Sequence, residues 1–149
     1  MRRLSSFLSC ALFVIGSAGC GSSPASPTTS TAATNSYALT GLLPAAVNGV
    51  PQSQSQAFLL GQGATVLLRL TSASEAMLDG TTLSTVAVGL GLGTVTNGVC
   101  TVLPGAAVTA SYSADVQLTF AMPAGNDCVQ VSDVTVQQGP VSYTITLTY

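Results

Sequence analysis

The side chains able to do acid, base or nucleophilic chemistry in this chain are few. Glu75, Asp79, Asp115, Asp127 and Asp133 are its only carboxylates, Arg2, Arg3 and Arg69 its only cations, and there is no Lys, His or Trp. Without histidine there is no Ser-His or Cys-His nucleophile pair and no His-ligated zinc; without lysine there is no Schiff base or Ser-Lys dyad. Nucleic acid is excluded as a partner, because binding phosphate needs a field of Lys and Arg. Glycoside hydrolysis needs only two carboxylates roughly 5–10 Å apart across a cleft, so five acids leave it open in principle. Asp115, Asp127 and Asp133 could also offer oxygens to calcium, but their spacing is that of no calcium loop. Asp115 and Asp127 fall beside turn residues, where aspartate bonds the local backbone, and the turn reading is preferred. No metal and no cofactor is expected.

The four cysteines divide by position. Residues 1–20 read MRRLSSFLSCALFVIGSAGC: a basic start, an apolar run from Phe7 to Ile15, then small residues before Cys20. This is the pattern of an export signal, and the run is about half of the roughly 20 residues that a membrane-spanning helix needs. Ser17-Ala18-Gly19-Cys20 resembles the lipobox of bacterial lipoproteins, in which the cysteine is lipidated and becomes the first mature residue. Ser17 stands where leucine is usual, and a secreted protein cut near Ala18 is the alternative. Arg2-Arg3 serves as a generic basic region, since its flanks do not resemble a twin-arginine signal. A lipidated N-terminal cysteine carries two or three acyl chains, enough to hold a protein on a membrane where one chain is marginal. Gly21 and Ser22 follow without an aspartate, which by resemblance to Gram-negative sorting rules favours the outer membrane.

From Gly21 to Ser36 the chain reads GSSPASPTTSTAATNS, with no large apolar side chain to offset the entropy of ordering. Residues 20–36 are therefore expected to form a flexible tether with a reach of roughly 20–25 Å. O-glycosylation of its Ser and Thr residues is the compositional alternative. With Cys10 removed in the signal peptide and Cys20 lipidated, Cys100 and Cys128 remain and are expected to bond to each other.

Residues 37–149 must then position everything else, and their period is two almost throughout. Val141, Tyr143, Ile145, Leu147 and Tyr149 alternate with Ser142, Thr144, Thr146 and Thr148; Val116, Leu118, Phe120 and Met122 alternate with more polar neighbours, as do Val66, Leu68 and Leu70. Further strands are predicted at about 37–43, 86–92, 99–103, 108–113 and 128–136, separated by Asn48-Gly49, Asp79-Gly80, Asn97-Gly98, Pro104-Gly105, Gly125-Asn126 and Gly139-Pro140. A short helix or a loop is expected over Ser72–Leu78. About eight strands with no long helical period predict an all-β domain, an antiparallel β-sandwich of jelly-roll or immunoglobulin-like type with one disulfide.

The stretches VGLGLGTVTNGVC at 88–100, CVQVSDV at 128–134 and PVSYTITLTY at 140–149 resemble the β-sandwich modules of the pre-peptidase C-terminal type found in secreted bacterial proteins. The likeness covers about 60 residues, mostly in the second half. It implies that Cys100 and Cys128 form the module's disulfide and that Tyr143 is the aromatic of its last strand. Such modules are usually appended to secreted peptidases or other enzymes, and this chain carries no catalytic partner. No calcium or carbohydrate site transfers residue by residue.

Two surfaces stand out as candidates for contact. Ala87, Gly89, Gly91 and Gly93 share one face of a strand whose other face is Val86, Val88, Leu90 and Leu92. That bare face suits close approach by another β-layer, a neighbouring chain or a polysaccharide, or simply cover by the domain's own chain. Tyr37, Tyr112, Tyr143 and Tyr149 could stack on sugar rings, although Tyr143 and Tyr149 fall on an apolar, core-facing side. Arg69, the sole cation past the signal segment, is expected to pair with an acid or solvent. It faces five acids, leaving a net charge of −4, so electrostatic steering is weak and uncharged sheet edges invite pairing. The whole predicts a non-enzymatic, lipid-anchored cell-envelope protein displaying a binding or structural module, with an envelope protein or polysaccharide as partner. The alternatives are an assembly subunit docking by an edge strand, a secreted accessory domain, and a hydrolase.

Overall fold

The computed structural model describes residues 34–149; the expected signal segment, Cys20 and residues 21–33 of the tether lie outside the described residues. Among the described residues nine antiparallel strands follow in order: β1 (Ser36–Leu43), β2 (Ser53–Leu60), β3 (Ala64–Ala76), β4 (Thr82–Leu83), β5 (Val88–Thr96), β6 (Val99–Ala110), β7 (Leu118–Met122), β8 (Gly125–Asp133) and β9 (Val141–Thr148). One sheet runs β1-β9-β3, with β4 and β7 both on the far edge of β3; the other runs β2-β8-β5-β6. Among the described residues no helix is long and apolar enough to cross a membrane.

The pairings are nested. β1 pairs with β9, β2 with β8, β3 with β7, and β5 with β6 around the innermost turn. A long hairpin folded over into two sheets in this way is a jelly roll. The innermost turn is Asn97-Gly98, with φ of 53° and 78°, the pair of positive values that a two-residue type I′ hairpin demands.

Period two fixes the core. Val66, Leu68 and Leu70 of β3, Val88, Leu90 and Leu92 of β5, Val129 and Val131 of β8, and Val141, Tyr143, Ile145 and Leu147 of β9 all point between the sheets and are buried. Each large aliphatic among them stabilises the fold by roughly 1.5–3 kcal/mol relative to exposure. Tyr143 also covers its cross-strand partner Gly41: a Cβ on Gly41 would run into the Tyr143 ring. This supplies the edge strand with the side chain it lacks.

Several local expectations are corrected. Ser72–Leu78 contains neither a helix nor a simple loop, because β3 continues to Ala76; Ala73 pairs with Tyr143 and Glu75 with Val141, and this pairing outweighs the helix propensity of the segment. The strands expected at 99–103 and 108–113 are one strand, β6. Pro104-Gly105 forms a bulge within it, with Gly105 at φ 77° and the register shifting between Gly91 and Gly93 of β5. Gly125-Asn126 opens β8 rather than turning, which moves that strand from 128–136 to 125–133. Asp127 is consequently not a turn residue; it points inward from β8 and is fully buried. Val116 precedes β7 and is exposed. β2 and the two-residue β4 are additions to the predicted strands. The folded head begins slightly before residue 37, since Asn35 and Tyr149 exchange both backbone hydrogen bonds, at 2.7 and 2.9 Å.

Candidate functional site

The strand β5 that carries the glycine face sits between β8 and β6, so both neighbours decide how much of that face stays open. Gly93 lies opposite Cys128 and Val102, and a Cβ there would run into the Thr101 carbonyl. The missing side chain lets the β6 backbone close over β5, which brings Cys100 within 5.9 Å (Cα–Cα) of Cys128 and allows the expected disulfide. Gly91 is covered by the Val102 side chain, 2.9 Å from where its Cβ would lie. Ala87 is half-buried, and its carbonyl accepts from Gln137 Nε2 at 3.3 Å. The face is thus filled from within at Gly91 and Gly93. What stays open around Gly89 is a trough of about 480 Å³ between Thr109, Gln130, Ser132 and Val134.

The carboxylates do not converge. Asp79 is exposed and accepts from the Thr81 hydroxyl at 2.6 Å and the Thr81 amide at 2.9 Å, which together hold its carboxyl below the usual range. Asp115 is exposed in a turn where its amide donates to Ser113 Oγ at 3.0 Å. Glu75 is buried, and its Oε1 accepts from the amides of Gln138 and Gly139 at 2.7 and 2.8 Å. Asp133 closes the start of β2: its amide donates to the Gln52 carbonyl and its Oδ2 accepts from the Gln52 amide, both at 2.9 Å. Asp127, opposite Phe58 and Thr94 on the inner face, has no hydrogen-bond partner on either oxygen among the described residues, and burial pushes its carboxyl above the ordinary range. Among the described residues no three His, Cys, Asp or Glu side chains come together to hold a metal ion. Arg69 is directed at backbone, donating from Nη1 to the Ala114 carbonyl at 3.2 Å.

The tyrosines part company. Tyr143 is a core residue whose hydroxyl meets Gln56 Nε2 at 3.4 Å, and Tyr112 stands exposed elsewhere. Tyr37 and Tyr149 come together at the side of the sandwich where β1 and β2 form the edges of their sheets. Their rings stack with centroids 5.7 Å apart and planes at 22°, and Phe58 of β2 stacks on Tyr149 at 6.3 Å. With Leu39, Ala57 and Leu59 they line a charge-free groove of about 360 Å³. Leu59 is 65% exposed and Tyr37 48%. No pattern in the sequence marks Phe58, because Gln54 and Gln56 occupy inward positions of β2 and break the apolar alternation there.

Comparison with protein-family models, with curated proteins and with solved structures finds no match for this chain.

Proposed function

We propose that this chain is a lipid-anchored cell-envelope protein that displays a non-catalytic jelly-roll domain as a binding module. The observation that carries the reading is the start of the folded head. Among the described residues Asn35 is the first paired into the sheet, and residues 21–34, rich in Ser, Thr and Pro, lie in the sequence between it and Cys20 of the lipobox-like Ser17-Ala18-Gly19-Cys20. Such a stretch holds a head clear of lipid headgroups. The non-catalytic part is supported by the engagement of Glu75, Asp79 and Asp133 with backbone amides of the domain itself, those of Gln138, Thr81 and Gln52. The charge-free aromatic groove is the surface best suited to a neutral partner, whether an envelope protein or a polysaccharide. The likeness to pre-peptidase C-terminal modules enters only as a likeness of strands.

Intact mass of the protein isolated from its native membrane fraction tests the anchor. A mass for residues 20–149 plus acyl chains, less two hydrogens for the disulfide, is the expected result. An unlipidated species in the medium, cut near Ala18, would replace the anchored reading by a secreted accessory domain.

A second reading, a subunit that docks through an edge strand, is favoured by the bare edges of β1 and β2. Neither SYALTGLL nor SQSQAFLL contains a charge or a proline, the usual devices that keep an edge from pairing.

A further inference from the structure

The two sides of this sandwich are finished differently. On the β4, β6 and β7 side the edges are blunted: β4 has two residues, β7 has five, and β6 is broken by the Pro104-Gly105 bulge. The free stretch of β3 on that side is covered by the chain itself, with Ser113 and Gln117 amides donating to Leu70 and Leu68 carbonyls and Gln117 Oε1 accepting from the Leu70 amide at 2.7 Å. On the other side β1 and β2 are uninterrupted eight-residue strands.

Backbone direction on that side follows from the ladders. The Asn35–Tyr149 pair exchanges both its hydrogen bonds, so Ser36, Ala38, Thr40 and Leu42 turn their backbone groups away from β9. The Asp133 amide donates to the Gln52 carbonyl, so Ser53, Ser55, Ala57 and Leu59 turn theirs away from β8. Two outward carbonyls are met by side chains: Thr40 by Gln56 Nε2 at 2.9 Å and Leu59 by the Tyr149 hydroxyl at 3.4 Å. The outward groups of Ser53, Ser55 and Ala57 have no such partner among the described residues.

We propose that β2 pairs antiparallel with β2 of a second copy of this chain, joining two four-stranded sheets into one of eight strands across a two-fold axis at Gln56. This inference rests on the edge-docking reading above. In this register Ser53 faces Leu59 of the second copy and Ser55 faces Ala57, so all four outward residues of each strand find a partner. Self-pairing brings no like charges together, because neither edge carries any. The exposed Leu59 and the Tyr37–Phe58–Tyr149 groove flank the new pair and supply apolar surface. A side about 26 Å long and roughly 15–20 Å wide buries on the order of 400–500 Å² per copy, below the standard size of a stable interface, so a weak, reversible dimer is expected.

Sedimentation velocity of the full chain at about 1–100 µM, against Ala57→Lys and Ser55→Pro, tests this. Ser55→Pro removes an outward N–H and leaves the β2–β8 ladder intact. A concentration-dependent dimer that each variant weakens at least about tenfold, with unchanged circular dichroism, is expected. The double variant Ser55→Cys/Ala57→Cys, oxidised in native membranes, should give a disulfide-linked dimer. A monomer at every concentration, or a dimer indifferent to both variants, overturns self-pairing. If the chain is monomeric and the double variant crosslinks to a different protein, self-pairing falls while edge docking stands; a monomer whose double variant crosslinks to nothing removes both.

Discussion

Glu75 and Gly139 are held against each other across the end of the first sheet. Glu75 Oε1 accepts the Gly139 amide at 2.8 Å and the Gln138 amide at 2.7 Å, while Gly139 lies so close to β3 that a Cβ would run into the Ala76 carbonyl. One carboxylate oxygen therefore satisfies two amides of the loop before β9, that of Gly139 at a buried site and that of Gln138 at a part-buried one. Glu75→Ala is expected to cost roughly 3 kcal/mol, because charge-assisted hydrogen bonds are lost and both donors are stranded. Glu75→Gln, which keeps an acceptor oxygen, is expected to cost about 1 kcal/mol. Urea midpoints of the two variants check this, and equal losses would assign the effect to packing alone.

The glycine strip makes a graded prediction. A Cβ at Gly89 would meet the Ser132 hydroxyl, the end of a side chain that can rotate away. A Cβ at Gly93 would meet the Thr101 carbonyl, which is backbone held next to the Cys100–Cys128 crossing. Gly89→Ala is therefore expected to change stability by less than about 1 kcal/mol and Gly93→Ala to cost about 3 kcal/mol or more. Thermal unfolding of both variants separates them, and a tolerant Gly93 would mean that β6 does not close over β5.

The disulfide links residues 28 apart in sequence. The chain-entropy model gives about 3–4 kcal/mol for a loop of that size. Cys100→Ala/Cys128→Ala is expected to lower stability by about that amount, read from urea midpoints under oxidising conditions. The same double variant under reducing conditions should match reduced wild type.

Much of the fold was legible because apolar residues at every second position can satisfy only one geometry, as the burial of Val141, Tyr143, Ile145 and Leu147 shows. The misses have physical causes. Ala73 and Glu75 belong to a strand because Tyr143 and Val141 pair with them, which no local propensity encodes. Pro104-Gly105 carries turn chemistry but is spent on a bulge. Inward glutamines hid β2, and with it Phe58, whose position beside Tyr149 is created by the stacking of two sheets. The glycine face was legible as bare, but its filling by Thr101 and Val102 depends on the bulge that shifts the register of β6 against β5 between Gly91 and Gly93.

Asp127 sets the pH dependence that can be assigned to a single residue. It is fully buried on β8 between Phe58 and Thr94, neither of which carries a charge, and both of its oxygens lack a hydrogen-bond partner among the described residues. Burial raises its folded pKa above the ordinary aspartate value, so between the unfolded and the folded pKa the native state binds more protons than the unfolded one. Stability then falls as pH rises through that window, and above it the full cost of the buried charge is present. Asp127→Asn removes the charge and keeps the shape. The variant is expected to be more stable than wild type at pH 7, and the difference should shrink toward about pH 4, the unfolded aspartate value. Melting temperatures of both proteins across this range read the effect as a difference, so the titration of the other carboxylates cancels. A variant less stable than wild type at pH 7 would show that the Asp127 carboxylate is paired in solution.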